Sequence, residues 1–171
     1  LESLVNPMRD SHDNSIMLGD PSLGLYQTTL DTLMNAGFTT EQIIQILAKP
    51  GGSLNLDALK TLLKPLCDAD GTFIMLGDPS LGLYKTKLDR LIDAGFTPEQ
   101  IIKVLANNGG SNNLNALKDL LNPIPDTEKN KLDILIQAGF MPEQIIGVLA
   151  NNGGSYNLNV LENLLEPMRD T

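Results

Sequence analysis

Ala36-Gly37-Phe38-Thr39, then Glu41-Gln42-Ile43-Ile44, then Gly51-Gly52-Ser53: this ordered stretch decides the fold because it is present three times. It returns as Ala94-Gly95-Phe96-Thr97, Glu99-Gln100-Ile101-Ile102 and Gly109-Gly110-Ser111 at an offset of 58, and as Ala138-Gly139-Phe140 to Gly153-Gly154-Ser155 after a further 44. The first offset is longer because Ile16 to Tyr26 (Ile-Met-Leu-Gly-Asp-Pro-Ser-Leu-Gly-Leu-Tyr) recurs identically at Ile74 to Tyr84 and is missing before the third copy. The repeat is therefore composite, with a constant part of 44 residues and an optional insert of 14. Units with periods of roughly 20 to 50 residues, none able to bury its own apolar face, stack into solenoids.

The chain divides accordingly. Residues 1–13 read as the tail of a preceding repeat, 14–71 and 72–129 as two units with the insert, and 130–171 as a shorter unit truncated at its end. Leu1 to Asp10 matches Leu161 to Asp170 and no initial Met is present, so the segment reads as a piece of a longer array. Each unit is expected to hold three helices. The first has Asp20 or Asp78 as N-cap and Pro21 or Pro79 at N1, carries Leu23, Tyr26, Leu30, Leu33 and Met34 at helical spacing, and stops at Gly37. In the third copy it shortens to Glu128–Gln137. The second opens on Thr39 or Thr97 with Gln42 or Gln100 three residues on, a capping-box spacing, and turns Ile43, Ile44 and Leu47 inward. The third begins near Ser53, Ser111 or Ser155, buries Leu56, Leu59, Leu62 and Leu63, and ends at Pro65, Pro123 or Pro167. No segment alternates with period 2 long enough to suggest a sheet. The expected fold is all-α: a right-handed helical-repeat solenoid, or α-α superhelix, of about three units with two to three helices each.

Composition narrows the chemistry. Hydrophobic residues make up 42%, yet Trp is absent and there are 3 Tyr and 4 Phe, so the core must be aliphatic. With 12 Lys+Arg against 21 Asp+Glu the formal charge is −9, which argues against a uniformly basic face for polyanions but leaves room for a local anion site. One Cys and one His exclude an internal disulfide and a Cys/His zinc site. No run approaches the roughly 18 to 20 apolar residues of a membrane span, and the first residues carry no signal-peptide pattern, so the segment reads as soluble. His12, in a Ser-His-Asp-Asn loop, has no repeated counterpart and reads as a solvated histidine. Asp68-Ala69-Asp70-Gly71 starts like a calcium loop, but the sixth and twelfth positions are Phe73 and Pro79, so it reads as a turn. Gly-Asp-Pro-Ser lacks the Lys and preceding strand of a P-loop and reads as a helix start. The insert's apolar residues Ile74, Met75, Leu76 and Leu81 are expected to pack between units. No enzyme constellation, metal site or cofactor is called for.

The loops between the second and third helices remain: Lys49-Pro50-Gly51-Gly52-Ser53, Asn107-Asn108-Gly109-Gly110-Ser111 and Asn151-Asn152-Gly153-Gly154-Ser155. Repetition sets them side by side along one edge. As turns, they end one helix through a left-handed cap and let Ser cap the next. As a site, they offer helix N-terminal N–H groups that glycines let an anion approach.

Phe38 to Gly71 is 34 residues long and resembles, in frame, one repeat of a transcription activator-like (TAL) effector: Thr-x-Glu-Gln-Ile-Ile, a two-residue variable site, Gly-Gly, Leu-x-x-Leu-Leu, then Leu66-Cys67-x-Ala69-x-Gly71. The copies from Phe96 and Phe140 match through the Leu-Leu of the third helix, and together they cover about half of the chain. In that family the two residues before Gly-Gly read bases, the first bracing the loop and the second entering the major groove. The resemblance implies that Lys49, Asn107 and Asn151 brace, and that Pro50, Asn108 and Asn152 face the bases. The resemblance further implies that an Asn-Asn pair prefers guanine and tolerates adenine, in keeping with an amide that can donate to a purine N7. Gly51, Gly52, Gly109, Gly110, Ser111, Gly153, Gly154 and Ser155 would approach phosphate. Where the family has Lys after Gly-Gly this chain has Ser53, Ser111 and Ser155, so a charge-assisted phosphate contact is lost in each unit. The resemblance also makes Cys67 a packed helix residue, and implies a bacterial protein of a kind delivered into host cells. The residues inserted between units, 24 before Phe38 and Phe96 and 10 before Phe140, are expected to change the rise and twist. The partner expected is double-stranded DNA; the alternative is a protein-interaction scaffold whose Asn-Asn-Gly-Gly loops are turns.

Overall fold

In the computed structural model, residues 2–7, 15, 28–68, 70–75, 84–107, 109–124, 129–151 and 153–163 are described. They form α1 (Glu2–Val5), α2 (Thr29–Asn35), α3 (Thr40–Leu47), α4 (Gly52–Thr61), α5 (Lys87–Asp93), α6 (Pro98–Leu105), α7 (Gly110–Asp119), α8 (Lys131–Gln137), α9 (Pro142–Leu149) and α10 (Gly154–Asn163). The protein is all-α among these residues, with isolated β-bridges in place of strands. Each copy contributes one triplet: α2–α4, α5–α7 and α8–α10.

The first helix of each triplet starts later than the Asp-Pro motif suggests. Its N-cap is Thr28, Thr86 or Asn130, and Asp31, Asp89 or Asp133 at N3 completes a capping box. In the second copy the Thr86 N–H donates to Asp89 Oδ2 at 2.7 Å and the Asp89 N–H to Thr86 Oγ1 at 3.1 Å, so two orphan donors are satisfied reciprocally. The residues just before cannot be helical: Lys85 donates its N–H to the Ile74 carbonyl and accepts from the Leu66 N–H, and Tyr84 is bridged to Met75. Asp20, Pro21, Leu23, Tyr26, Asp78, Pro79 and Glu128 lie outside the described residues. The helix stops as expected. Gly95 has φ +92°, its N–H bonds the Ile92 carbonyl, and the Phe96 N–H reaches back to Leu91, the double bond of a Schellman cap. Gly37 and Gly139 close α2 and α8 in the same way.

The second helix carries the capping box read from the sequence at Thr39/Gln42 and Thr97/Gln100. Met141 replaces the Thr of the third copy and keeps one half, its N–H donating to Gln144 Oε1 at 2.8 Å. The third helix begins at the second glycine and not at the serine. Gly51 and Gly109 are its N-caps at φ +77°, in the left-handed region, and no side chain caps the helix. α4 ends at Thr61 before a turn over Leu62–Lys64, and Pro65 belongs to a bridge. Cys67 is therefore non-helical: it is half-buried and bridged to Phe73. Pro167 lies outside the described residues.

Packing runs from copy to copy. α3, α6 and α9 lie against one another in succession, as do α4, α7 and α10, around a core of Leu33, Leu59, Leu91, Leu117, Leu135 and their like. Leu56, Leu59, Leu62 and Leu63 are buried as the spacing demands. Ile44 departs from its stripe. It is 60% exposed although Ile102 and Ile146, its counterparts, are buried, because those two are covered by the copy before them.

The insert does not disturb the join between copies. Pro7, Pro65 and Pro123 bridge to Thr28, Thr86 and Asn130, the N-caps of the following first helices. Across the long connection the Leu66 N–H donates to Lys85 O (2.7 Å) and Leu88 to Leu62 O (2.8 Å). Across the short one Ile124 donates to Lys129 O and Leu132 to Leu120 O, both at 3.0 Å, through equivalent residues. The added residues leave and re-enter at one bridge, between Pro65 and Thr86. Within the excursion, Asp68 Oδ1 accepts from the N–H groups of Asp70 and Thr72, so the Asp-Ala-Asp-Gly run is a turn. Ile74 packs on the core, Phe73 meets Tyr84 edge to face at 5.2 Å, and Leu76 and Leu81 lie outside the described residues.

Candidate nucleic-acid interface

The three inter-helix loops are built around their glycines. Gly51, Gly109 and Gly153 are exposed at φ +77°, +77° and +73°, where an L side chain is strained. Gly52, Gly110 and Gly154 are buried, and a Cβ on them would stand 2.2, 2.1 and 2.1 Å from the carbonyl oxygens of Leu47, Leu105 and Leu149. The first glycine of each pair turns the chain, and the second lets α4, α7 or α10 start flush against the end of the preceding helix. Both glycines thus have a structural cause, and the second sits beneath the surface.

The bracing candidates differ. Asn107 Nδ2 donates to the Lys103 carbonyl at 2.8 Å, and Asn151 Nδ2 donates to Gly147, the same four-residue back-bond onto the last turn of the second helix. Lys49 is exposed, and its carbonyl accepts from the Gly52 N–H at 2.9 Å. Among the base-facing candidates, Pro50 is exposed, while Asn108 and Asn152 lie outside the described residues. Neighbouring loops meet: Lys49, Pro50, Gly51, Asn107, Gly109 and Ser111 share the lining of one open groove of about 300 Å³.

Two residues that the sequence reading passed over hold this edge together. Asn55 and Asn113 are buried polar residues, 6% and 2% exposed. Asn55 Nδ2 donates to the Leu105 carbonyl of the next copy at 3.3 Å, and Asn113 Oδ1 accepts the Ser155 N–H of the next copy at 3.0 Å. Each amide therefore latches onto the neck of the following loop, satisfying polar groups that would be costly to bury unpaired. The Ser155 N–H, a phosphate-approach candidate, is engaged by this latch. The signal was present in the sequence, for Asn55, Asn113 and Asn157 recur one residue before a core Leu in all three copies.

A second cleft, of about 500 Å³, lies beside the long connection and is lined by Cys67, Asp68, Lys85, Arg90 and Asp133 among others; Arg90 and Asp133 are ion-paired there. Near the same join Lys87 is held below its ordinary pKa, first by burial and then by Lys118. His12 lies outside the described residues. Among those described, no helix is long and apolar enough to cross a membrane. No family model matches the chain, and no curated protein matches it.

Proposed function

We propose that the chain is a right-handed α-α solenoid of about three units that binds double-stranded DNA along the edge formed by its inter-helix loops, without enzymatic activity. The observation that carries the reading is the paired back-bond of Asn107 and Asn151 at the first variable position, the Asn107 loop sharing one groove with the loop before it. A first residue folded onto its own helix suits a loop whose second residue is given to a ligand, the role that resemblance to TAL effector repeats assigns to Asn108 and Asn152. With no Lys after Gly-Gly, phosphate contact falls to backbone N–H groups, so affinity is modest and its salt slope shallow. The test is duplex binding by fluorescence anisotropy at low and physiological salt. Asn108→Ala with Asn152→Ala relaxes base preference while helix content is kept; absence of duplex binding even at low salt overturns the reading.

One observation favours a second reading. Met34, Ile92 and Ile136, equivalent residues of α2, α5 and α8, are 47%, 36% and 37% exposed, a recurrent, partly exposed apolar row. A protein partner would use that row, and its binding would be lost on replacing the three with Glu and unmoved by changing the Asn pairs.

A further inference from the structure

Asn55 and Asn113 are the buried polar side chains among the described residues, set in a core that is otherwise aliphatic. Packing alone does not call for them. α4 lies against α7 and α7 against α10 among core leucines, and an aliphatic side chain at either position would serve that contact without burying an amide. What an amide adds is direction. A hydrogen bond is made only over a narrow range of distance and angle, whereas leucine contacts between similar helices tolerate sliding, so a buried polar residue fixes register where apolar packing leaves it loose. The atoms gripped lie at the Gly-Gly loops. The Leu105 carbonyl, bonded by Asn55, is the group against which Gly110 is fitted, and Asn55 itself lines the groove that the first and second loops share. The Ser155 N–H, bonded to Asn113, directly follows Gly154. Asn113 also stands beside its own loop, its Oδ1 and Nδ2 being the nearest atoms to a Cβ on Gly109, at 3.8 and 3.9 Å. One amide thus touches the first glycine of its own loop and the residue after the second glycine of the next.

We propose that Asn55 and Asn113 are positioning residues for base reading: Asn55 sets the second loop against the first, and Asn113 sets the third against the second, so that consecutive loops meet the duplex in one register. The role rests on the DNA reading proposed above. Both amides are buried, so they act through the loops and make no contact with DNA themselves. A loop that drifts relative to its neighbour keeps its own base preference and loses the gain of binding together with that neighbour.

The test is a double-mutant cycle on the 171-residue chain, with duplex affinity read by fluorescence anisotropy at low salt and helix content by circular dichroism. Asn113→Ala weakens binding about tenfold while the base preference of the second loop is kept. A residue that acts through the third loop loses its effect once that loop's reader is gone, so Asn113→Ala combined with Asn152→Ala binds no more weakly than the worse of the two alone. Asn55 acts through the second loop, so Asn55→Ala is absorbed in the same way by Asn108→Ala and multiplies with Asn152→Ala. A purely structural amide would lower stability and multiply with every base-facing change. Should Asn113→Ala not fold, Asn113→Leu fills the space, removes the bond alone and enters the same cycle. A folded variant that binds as tightly as the unaltered chain, or losses that multiply in the Asn113/Asn152 pair, overturns the positioning role while the DNA reading stands. A chain that binds no duplex even at low salt overturns that reading, and this role with it.

Discussion

The two connections between copies differ threefold in length and hardly at all in how they close. From Leu66 to Lys85 the chain makes a hairpin-like turn and an aromatic contact before it reaches Thr86, while the short connection has four residues between Ile124 and Lys129, whose backbones are hydrogen-bonded to each other. Both end in a bridge from a proline to an N-cap, followed by a leucine N–H bonded back to the end of the previous third helix. The same proline bridge and leucine bond close both connections, whatever the number of residues between them. Loop-closure entropy explains the tolerance: lengthening a loop about threefold costs about 1 kcal/mol, less than one buried leucine contributes.

The comparison breaks most readily at its shared anchors. Leu88→Ala and Leu132→Ala remove side chains that are 1% and 0% exposed, and each should cost about 2–5 kcal/mol in urea denaturation. Near-equal losses support a common join; a small loss at Leu88 alone would mean that the long connection anchors differently. Next are the caps. Thr86→Ala and Asn130→Ala each lose a bond to the N3 backbone and should cost about 1 kcal/mol, read by the same denaturation. Replacing Cys67–Tyr84 by the residues Pro125–Glu128 turns the long connection into the short one. Relief of loop entropy opposes loss of the Phe73–Tyr84 contact, so stability should move by less than about 1 kcal/mol with helix content retained. The smallest effect is a titration. The Thr28 hydroxyl, and then its N–H, hold the Asp31 carboxyl below its ordinary 3.8. A depressed carboxylate contributes stability above that pH and loses it as pH falls through the folded value. Asp31→Asn should therefore lose a small amount of stability at neutral pH, little or none in acid, and so show a flatter acid limb below about pH 4.

The sequence showed most plainly what the chain repeats locally. Gly37, Gly95 and Gly139 ended helices where the pattern placed them, and the Thr39/Gln42 spacing made the capping box it promised. The first helices begin after Thr28, Thr86 and Asn130, where an N-cap with Asp three residues on makes a capping box, a quieter signal in the sequence than the Asp-Pro-Ser motif. Other features depend on a neighbour, which local periodicity does not encode. Ile44 and Ile102 share a helical phase, and their burial differs because one copy has a predecessor packed on it. Asn55 looks like any polar residue at the start of a helix until the next copy brings the Leu105 carbonyl to it. The Gly-Gly pairs invited a phosphate reading, and the second of each proved to be fitted against a backbone carbonyl.

The asparagine latch bears on how such an array can change through descent. Asn55 and Asn113 grip main-chain atoms of the next copy, a carbonyl in one case and an N–H in the other, and these atoms are present whatever side chains that copy carries. No matched pair of side chains has to be kept together at this contact. Unequal recombination can therefore delete, duplicate or shuffle whole copies without breaking it, and each rearranged array inherits a working seam at once.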